Sequence, residues 1–344
     1  MKIAIVSSTI YRIPPIAYSG LENIAWWQAL YLSKLGHDIT VVAPNESKIP
    51  DNIKFIPCGP EGIHEKDAFE TYKNKLSDVD IIIDNSWLGF PYLLGNKKPV
   101  IHVFHAGFGF DTPPPNRDKP CFVGISKWYS HAIFCRYGKE CRTVYHGLPL
   151  DSIEPRYEKE DFMLYISVLN PAKGADIAIK AAVKAKRKIV VCGEDKFVVD
   201  QNYVRWIKEL SSKYKEYVDF KGAVDNYTKF MLMRKAKLLI LPIHFSRPEF
   251  YGIVYMEALA SGTPIISTPF GSIFEIREFD DNGKNIIFLC PDIDTMVNDI
   301  DYIWNFKSSH YEMCRRFAEK HMDVRDMAKN YEKLCKEVLD NGGW

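Results

Sequence analysis

Short runs of aliphatic and β-branched residues alternate along this chain with segments whose apolar residues return every three or four positions. In the first part the extended runs fall at 2–7, 39–43, 53–56, 79–84, 99–105, 122–125 and 142–145. The spacing predicts a first helix over about 21–35, closed by Gly36, a residue suited to the position after a helix end. The polar, proline-containing stretch DSIEPRYEKED (151–161) interrupts this rhythm and is the expected hinge. A second cycle follows: MLYISVL, a helix from about Ala175, KIVVCG, a helix from about Tyr203, VDFKGA, a helix from about Thr228, LLILPI, a helix after Gly252, PIIST and NIIFL. After Asp292 the pattern is helical only.

Such alternation builds parallel sheets with helical crossovers, so the expected fold class is α/β, with two Rossmann-like sheets in tandem and a cleft between them. The expected domains are 1–150 and 151–323, and the last helix, about 324–344, is expected to pack back on the first. The 344 residues suit two domains, and 47% hydrophobic with 26% charged residues describe an ordinary globular chain. A net charge of +1, with neither half basic, argues against a nucleic-acid partner. The opening MKIAIVSST reads as a strand rather than a leader, and no apolar stretch approaches membrane-spanning length. The expected location is cytoplasmic, with a peripheral membrane contact left open. The eight cysteines are scattered without a CxxC pair and are expected to be buried free thiols.

Candidate chemistry concentrates in RPEFYGIVYMEALASGTPI (247–265). A helix starting near Gly252 leaves Glu249 in the preceding loop and places Glu257 about one turn inside an apolar helix. Its first N–H groups lack partners and carry the positive end of the helix dipole, which suits a phosphate, and Gly252 lets an anion approach the backbone. A carboxylate at Glu257 can accept from the two vicinal hydroxyls of a ribose. On spacing alone, a structural partner for Glu257 explains the pattern equally well. Lys173, in LNPAKG (169–174), lies at a strand-to-helix turn where an ammonium and a helix N-terminus can act together on a diphosphate.

PEFYGIVYMEALASGTPII, with LNPAKGADIAIKAA before it and PFGSIFEI after it, resembles the nucleotide-sugar half of the retaining glycosyltransferases of family 4. The hallmark of that family, two glutamates with seven residues between them, stands here as Glu249 and Glu257. The first part agrees: IAYSGLENIAWWQALYLSKLGHDITVVAP is similar to the opening glycine loop, helix and strand of the family, and VFHAG, FVGISKW and TVYHGLPLDSIEP follow in the family's order. The resemblance spans about residues 1–290.

It implies two facing domains of the GT-B type, an activated sugar donor held mainly by the second, and an acceptor site mainly on the first. No metal and no cofactor are implied, because helix N-termini and basic side chains act as counter-charge to the diphosphate. Carried over by residue, Glu257 binds the donor ribose, Glu249 the sugar or its phosphate side, and Lys173 the diphosphate. The backbone of Tyr251, Gly252 and Ile253 cradles the phosphates. His105 matches a histidine near the transferred sugar, and Gly20 a glycine facing the donor phosphate. Two departures stand out: Ser19 replaces the first glycine of that loop, and Ser167-Val168 replace a Gly-Arg pair, so the diphosphate-binding arginine is absent. Arg247 is the candidate replacement.

The function implied is transfer of a sugar, with retention, from a nucleotide diphosphate to an acceptor hydroxyl on a glycan, a lipid-linked carrier or a small molecule. A non-catalytic nucleotide-sugar-binding protein and a GT-B sugar-nucleotide epimerase stay open beside it. Other conspicuous residues have simpler readings. Trp26 and Trp27 supply core packing and an exposed edge, His37 lies in a turn, and Asp84, Asn85 and Ser86 close a strand where ligands often bind. GFGFD (107–111) runs into prolines rather than a helix and fails as a dinucleotide fingerprint. DTPPPNRDKP (111–120) is expected to form a rigid surface loop, with a lid role left open.

Overall fold

The strand KIAIV is buried from Ile3 onward because it lies in the interior of a parallel sheet, where no face is left for polar residues. A computed structural model describes residues 1–16, 19–94, 98–107, 110, 114–115, 117–194, 200–246 and 248–344. Arg247 lies outside the described residues, as do Tyr18 of the glycine loop and parts of the 107–111 and 111–120 stretches.

Two compact units emerge, one of residues 1–149 with 324–344 and one of residues 150–323. The first contains β1 (Lys2–Val6), α1 (Leu21–Lys34), β2 (Asp38–Ala43), β3 (Lys54–Pro57), α2 (Glu65–Tyr72), β4 (Ile81–Asp84), α3 (Phe90–Leu93), β5 (Val100–Phe104), β6 (Phe122–Gly124), α4 (Lys127–Tyr137) and β7 (Cys141–Thr143). The second contains β8 (Glu160–Val168), α5 (Ala175–Ala185), β9 (Lys188–Glu194), α6 (Gln201–Lys213), β10 (Val218–Gly222), α7 (Asn226–Lys235), β11 (Ala236–Leu241), α8 (Ile253–Ala260), β12 (Ile265–Ser267), α9 (Ile273–Arg277), α10 (Gly283–Ile286), β13 (Ile287–Leu289), α11 (Ile293–Trp304) and α12 (Ser308–His321). The last helix, α13 (Val324–Asn341), belongs to the first unit and packs on α1.

Each unit is a parallel sheet with helical crossovers. The first sheet runs β3-β2-β1-β4-β5-β6-β7 and the second β10-β9-β8-β11-β12-β13. In both, the strand order reverses beside the first strand, at β1/β4 and at β8/β11. Such reversals open a crevice beyond the carboxyl ends of the strands, the usual ligand position in this architecture.

Two features escape the hydrophobic pattern. Helix α4 (KWYSHAIFCRY) carries Trp128 and Phe134 on its exposed side, so no single apolar stripe marks it; its start is fixed instead by Ser126, whose Oγ accepts from Tyr129 N at 3.2 Å. The run NIIFL is divided, with Asn285 and Ile286 finishing α10 and only Ile287–Leu289 pairing with β12. All eight cysteines are free thiols; Cys135 is exposed, Cys141 half-buried and the rest buried. Among the described residues no helix is long and apolar enough to cross a membrane.

Candidate functional site

In the second unit the chain leaves β8 and enters a tight turn. Asn170 Oδ1 accepts from Ala172 N at 2.9 Å, and Gly174 adopts φ +68°, a conformation that favours glycine. A side chain there is excluded twice over, since a Cβ would lie 2.1 Å from the Pro242 carbonyl oxygen. His244 N donates to Ala172 O at 2.8 Å, tying this turn to the segment after β11. The turn thereby presents Lys173 to the loop before α8, where its Nζ donates to Glu249 Oε2.

That second loop is equally constrained. Gly271, at φ +75°, packs against the backbone of Glu249, and a Cβ there would come within 2.3 Å of Glu249 O. Ser272 N donates to the same carbonyl at 3.0 Å. Gly252 caps α8 in an extended conformation, and a Cβ would meet Glu249 Cγ at 2.9 Å and Tyr255 Cδ2 at 3.0 Å. The space left by the missing side chain is thus occupied in part by Glu249 itself. Tyr251 is buried, and Tyr255 donates or accepts with Ser267 Oγ at 3.0 Å, anchoring the helix to β12.

Glu257 lies one turn into α8 beside buried Tyr255, Met256, Ala258 and Leu259. Only 6% of it is exposed, which settles that its carboxylate is not a surface group. Lys229, from α7, donates to its Oε1 at 2.5 Å. At position 168, where the resemblance leads one to expect arginine, Val168 ends β8 without a cation.

The first unit gathers polar side chains at the carboxyl ends of β1, β4 and β5. His102 Nδ1 donates to Asp84 Oδ2 at 2.9 Å, and Ser86 donates to Asp84 Oδ1 from N at 3.0 Å and Oγ at 2.6 Å. His105 Nε2 lies 2.9 Å from Asn85 Oδ1, and Asn85 Nδ2 donates to Gln28 Oε1 at 2.8 Å. With the Asn85 amide nitrogen committed to Gln28, its oxygen accepts from His105, which places the imidazole proton on Nε2. His105 stacks on His146, ring centroids 5.4 Å apart. Burial, and secondarily the neighbouring His146 and His102, push His105 well below the usual histidine range, so the ring is neutral near pH 7. Burial alone pushes His146 down to about 3.

Gly20 precedes α1 with negative φ, and its carbonyl accepts from Ile24 N at 3.2 Å. Ser19, in place of the other glycine, donates its hydroxyl to Glu22 Oε2, while Ser8 donates to Glu22 Oε1. Glu65, also buried, accepts from Trp87 N at 2.9 Å and Leu88 N at 2.7 Å, and burial raises its carboxyl to about 7 in spite of those bonds. Among the described residues no group of three or more His, Cys, Asp or Glu could hold a metal ion.

The structure therefore brings Lys173, Glu249, Tyr251, Gly252, Ile253 and Glu257 together in the second unit, and places His105 and Gly20 in the first. Lys229, Gly271, Asn85 with Gln28, and Glu22 with its two serines complete these clusters. Lys229 carried no signal in the sequence beyond being a lysine on a predicted helix, whereas Gly271 stood in the PFGSIFEI stretch and Asn85 at a strand end.

Residues 150–321, half of the chain, match the family described as Glycosyl transferases group 1. The chain belongs to that family. Over its full length this glycosyltransferase is 20% identical to spore coat protein SA of Bacillus subtilis, of which it covers 96%. Its fold is similar to that of AviGT4, a glycosyltransferase involved in avilamycin A biosynthesis, with a TM-score of 0.77, 21% identity and coverage of 100% of this chain and 99% of that one. It is also similar to Anabaena HepE in complex with UDP-glucose, with a TM-score of 0.72, 14% identity and coverage of 97% and 98%. These structural likenesses establish two Rossmann-like units of the GT-B type.

Proposed function

We propose that the chain is a retaining, metal-independent transferase of family 4 that moves a sugar from a nucleotide diphosphate to an acceptor hydroxyl. The observation that carries this reading is the convergence of Lys173 on Glu249 beside the N-terminus of α8, with Glu257 one turn further on. An ammonium and a helix N-terminus together suit the diphosphate, and the buried carboxylate of Glu257 suits a ribose. That HepE was solved with UDP-glucose supports a nucleotide sugar as donor.

In this reading the second unit, residues 150–323 with the backbone of Tyr251, Gly252 and Ile253, holds the donor. The first serves the acceptor, with His105 near the transferred sugar and Gly20 facing the donor phosphate. A neutral His105 is suited to hydrogen bonding with sugar hydroxyls rather than to acting as a cation. Departure of the diphosphate is assisted by Lys173, with Arg247 in place of the arginine absent at Val168. The acceptor hydroxyl attacks from the face the leaving group vacates, and its proton passes to a donor phosphate oxygen. The protein contributes positioning and electrostatics, without a covalent nucleophile.

The test is incubation with UDP-, GDP- and ADP-sugars while following the free nucleoside diphosphate and the fate of the sugar. Transfer or slow hydrolysis supports the proposal, an isomerised donor replaces it with an epimerase, and saturable binding without product replaces it with a binding protein. Glu257→Gln is expected to weaken nucleotide binding more than it slows the chemical step.

A further inference from the structure

Lys229 lies at the end of the first turn of α7, 28 residues before Glu257, outside the two-glutamate stretch. The start of its helix is set by Asp225, whose Oδ1 accepts from Thr228 N at 2.7 Å, so the position of Lys229 is fixed from the main chain outward. Its ammonium is held from two sides, 4.7 Å above the Phe230 ring and 2.5 Å from Glu257 Oε1. The side chains of Lys229 and Glu257 are 17% and 7% exposed, too little for a solvated surface pair. Buried ion pairs are commonly replaced by apolar residues at no cost in stability, so packing alone gives no reason to keep one in a helix otherwise made of Ile, Val, Met, Ala and Leu.

A carboxylate has two oxygens and about four lone pairs. A lysine on Oε1 fixes the plane of the Glu257 carboxylate and leaves Oε2 whole for a ligand. We propose that Lys229 is a positioning residue of the donor site: by holding Oε1 it aims Oε2 at the ribose 2′-hydroxyl, and so makes the site select ribonucleoside over 2′-deoxyribonucleoside diphosphates. This rests on the reading of the second unit as the nucleotide-sugar-binding one, and adds the residue that sets how the nucleoside is recognised. A site built to bond a hydroxyl discriminates strongly against the analogue that lacks it, because its own polar group is then left unpaired.

Calorimetric titration of the full chain with UDP, GDP and ADP, and with their 2′-deoxy counterparts, tests it in wild type, Lys229→Met, Lys229→Arg and Glu257→Gln. Wild type is expected to prefer the best ribonucleotide by about tenfold or more, the effect of one hydrogen bond to a charged group. Lys229→Met should bring that preference close to unity by weakening the ribonucleotide, and Lys229→Arg should restore most of it. A thermal melt checks folding, and Lys229→Gln is read in the same way if the methionine variant does not fold. A Lys229→Met protein that keeps the wild-type preference while Glu257→Gln loses it overturns the role of Lys229 alone. Wild type that binds none of the three ribonucleotides overturns this role together with the donor reading.

Discussion

Lys173 and Glu249, 76 residues apart in sequence, form an ion pair that joins the turn before α5 to the loop before α8. In the donor reading the lysine faces the diphosphate. Lys173→Ala is then expected to lower the affinity for a nucleoside diphosphate by about ten- to a hundredfold, the range for one charged hydrogen bond. The affinity for the corresponding nucleoside should stay unchanged. Titration with both ligands decides; equal losses for the two would separate Lys173 from the phosphates.

Gly271 shapes Glu249 from behind. Alanine there must adopt φ +75° and place its Cβ 2.3 Å from a backbone oxygen, a clash no side-chain rotation relieves. Gly271→Ala is expected to cost at least about 2 kcal/mol of stability, combining left-handed strain with displacement of the loop. Thermal unfolding measures the first effect. Loss of nucleotide affinity in the protein that remains folded measures the second.

In the first unit, Asn85 orients His105. Asn85→Ala removes the acceptor at Nε2, and the expected result is a fall of about tenfold in turnover, equivalent to one hydrogen bond. In the donor reading nucleotide affinity belongs to the other unit and should not change. Single-turnover rates and a binding isotherm on the same preparation separate the two, and a matching loss of affinity would assign Asn85 to folding instead.

His146 makes stability depend on pH in a definite direction. Its folded-state pKa, about 3, lies below the free value of 6.5, so the unfolded chain takes up a proton first. The contribution is fully present above pH 6.5 and is lost as the pH falls toward 3. Between about pH 7.5 and about pH 5.5 the loss amounts to about 1 kcal/mol, because over that range the unfolded chain binds this proton and the folded chain does not. Denaturant melts of wild type and His146→Gln at the two pH values should differ in their pH dependence by this amount, wild type losing more on acidification.

Much of this architecture is legible in the sequence because parallel strands buried on both faces leave long apolar signatures, as in KIAIV, LLILPI and PIIST. Helix α4 is not, since aromatic residues on its exposed side blur the period. At the candidate site, Glu249, Glu257 and Lys173 stand out in the stretches 247–265 and 169–174. Their supports are harder to see: Lys229 is one lysine among many until α7 packs on α8, and the bond from Asn85 to Gln28 spans 57 residues. Glu65, an acid that burial raises to about 7, looks in sequence like any helix-starting glutamate. Partners drawn from distant segments carry no local pattern, and only tertiary packing identifies them.

The first unit is discontinuous, and this bears on how the chain matures. Its sheet is complete by Thr143, yet α1 awaits α13, Leu148 awaits a bond from Val324, and Phe122 awaits the indole of Trp344. During synthesis the segment begun first is therefore finished last, after the whole of 150–323 has emerged and had time to fold. Until residues 324–344 leave the ribosome, the face of α1 that meets α13 has no cover, although its other side already packs on β1 and β2. For that interval the second unit has all of its residues while the first still lacks a part.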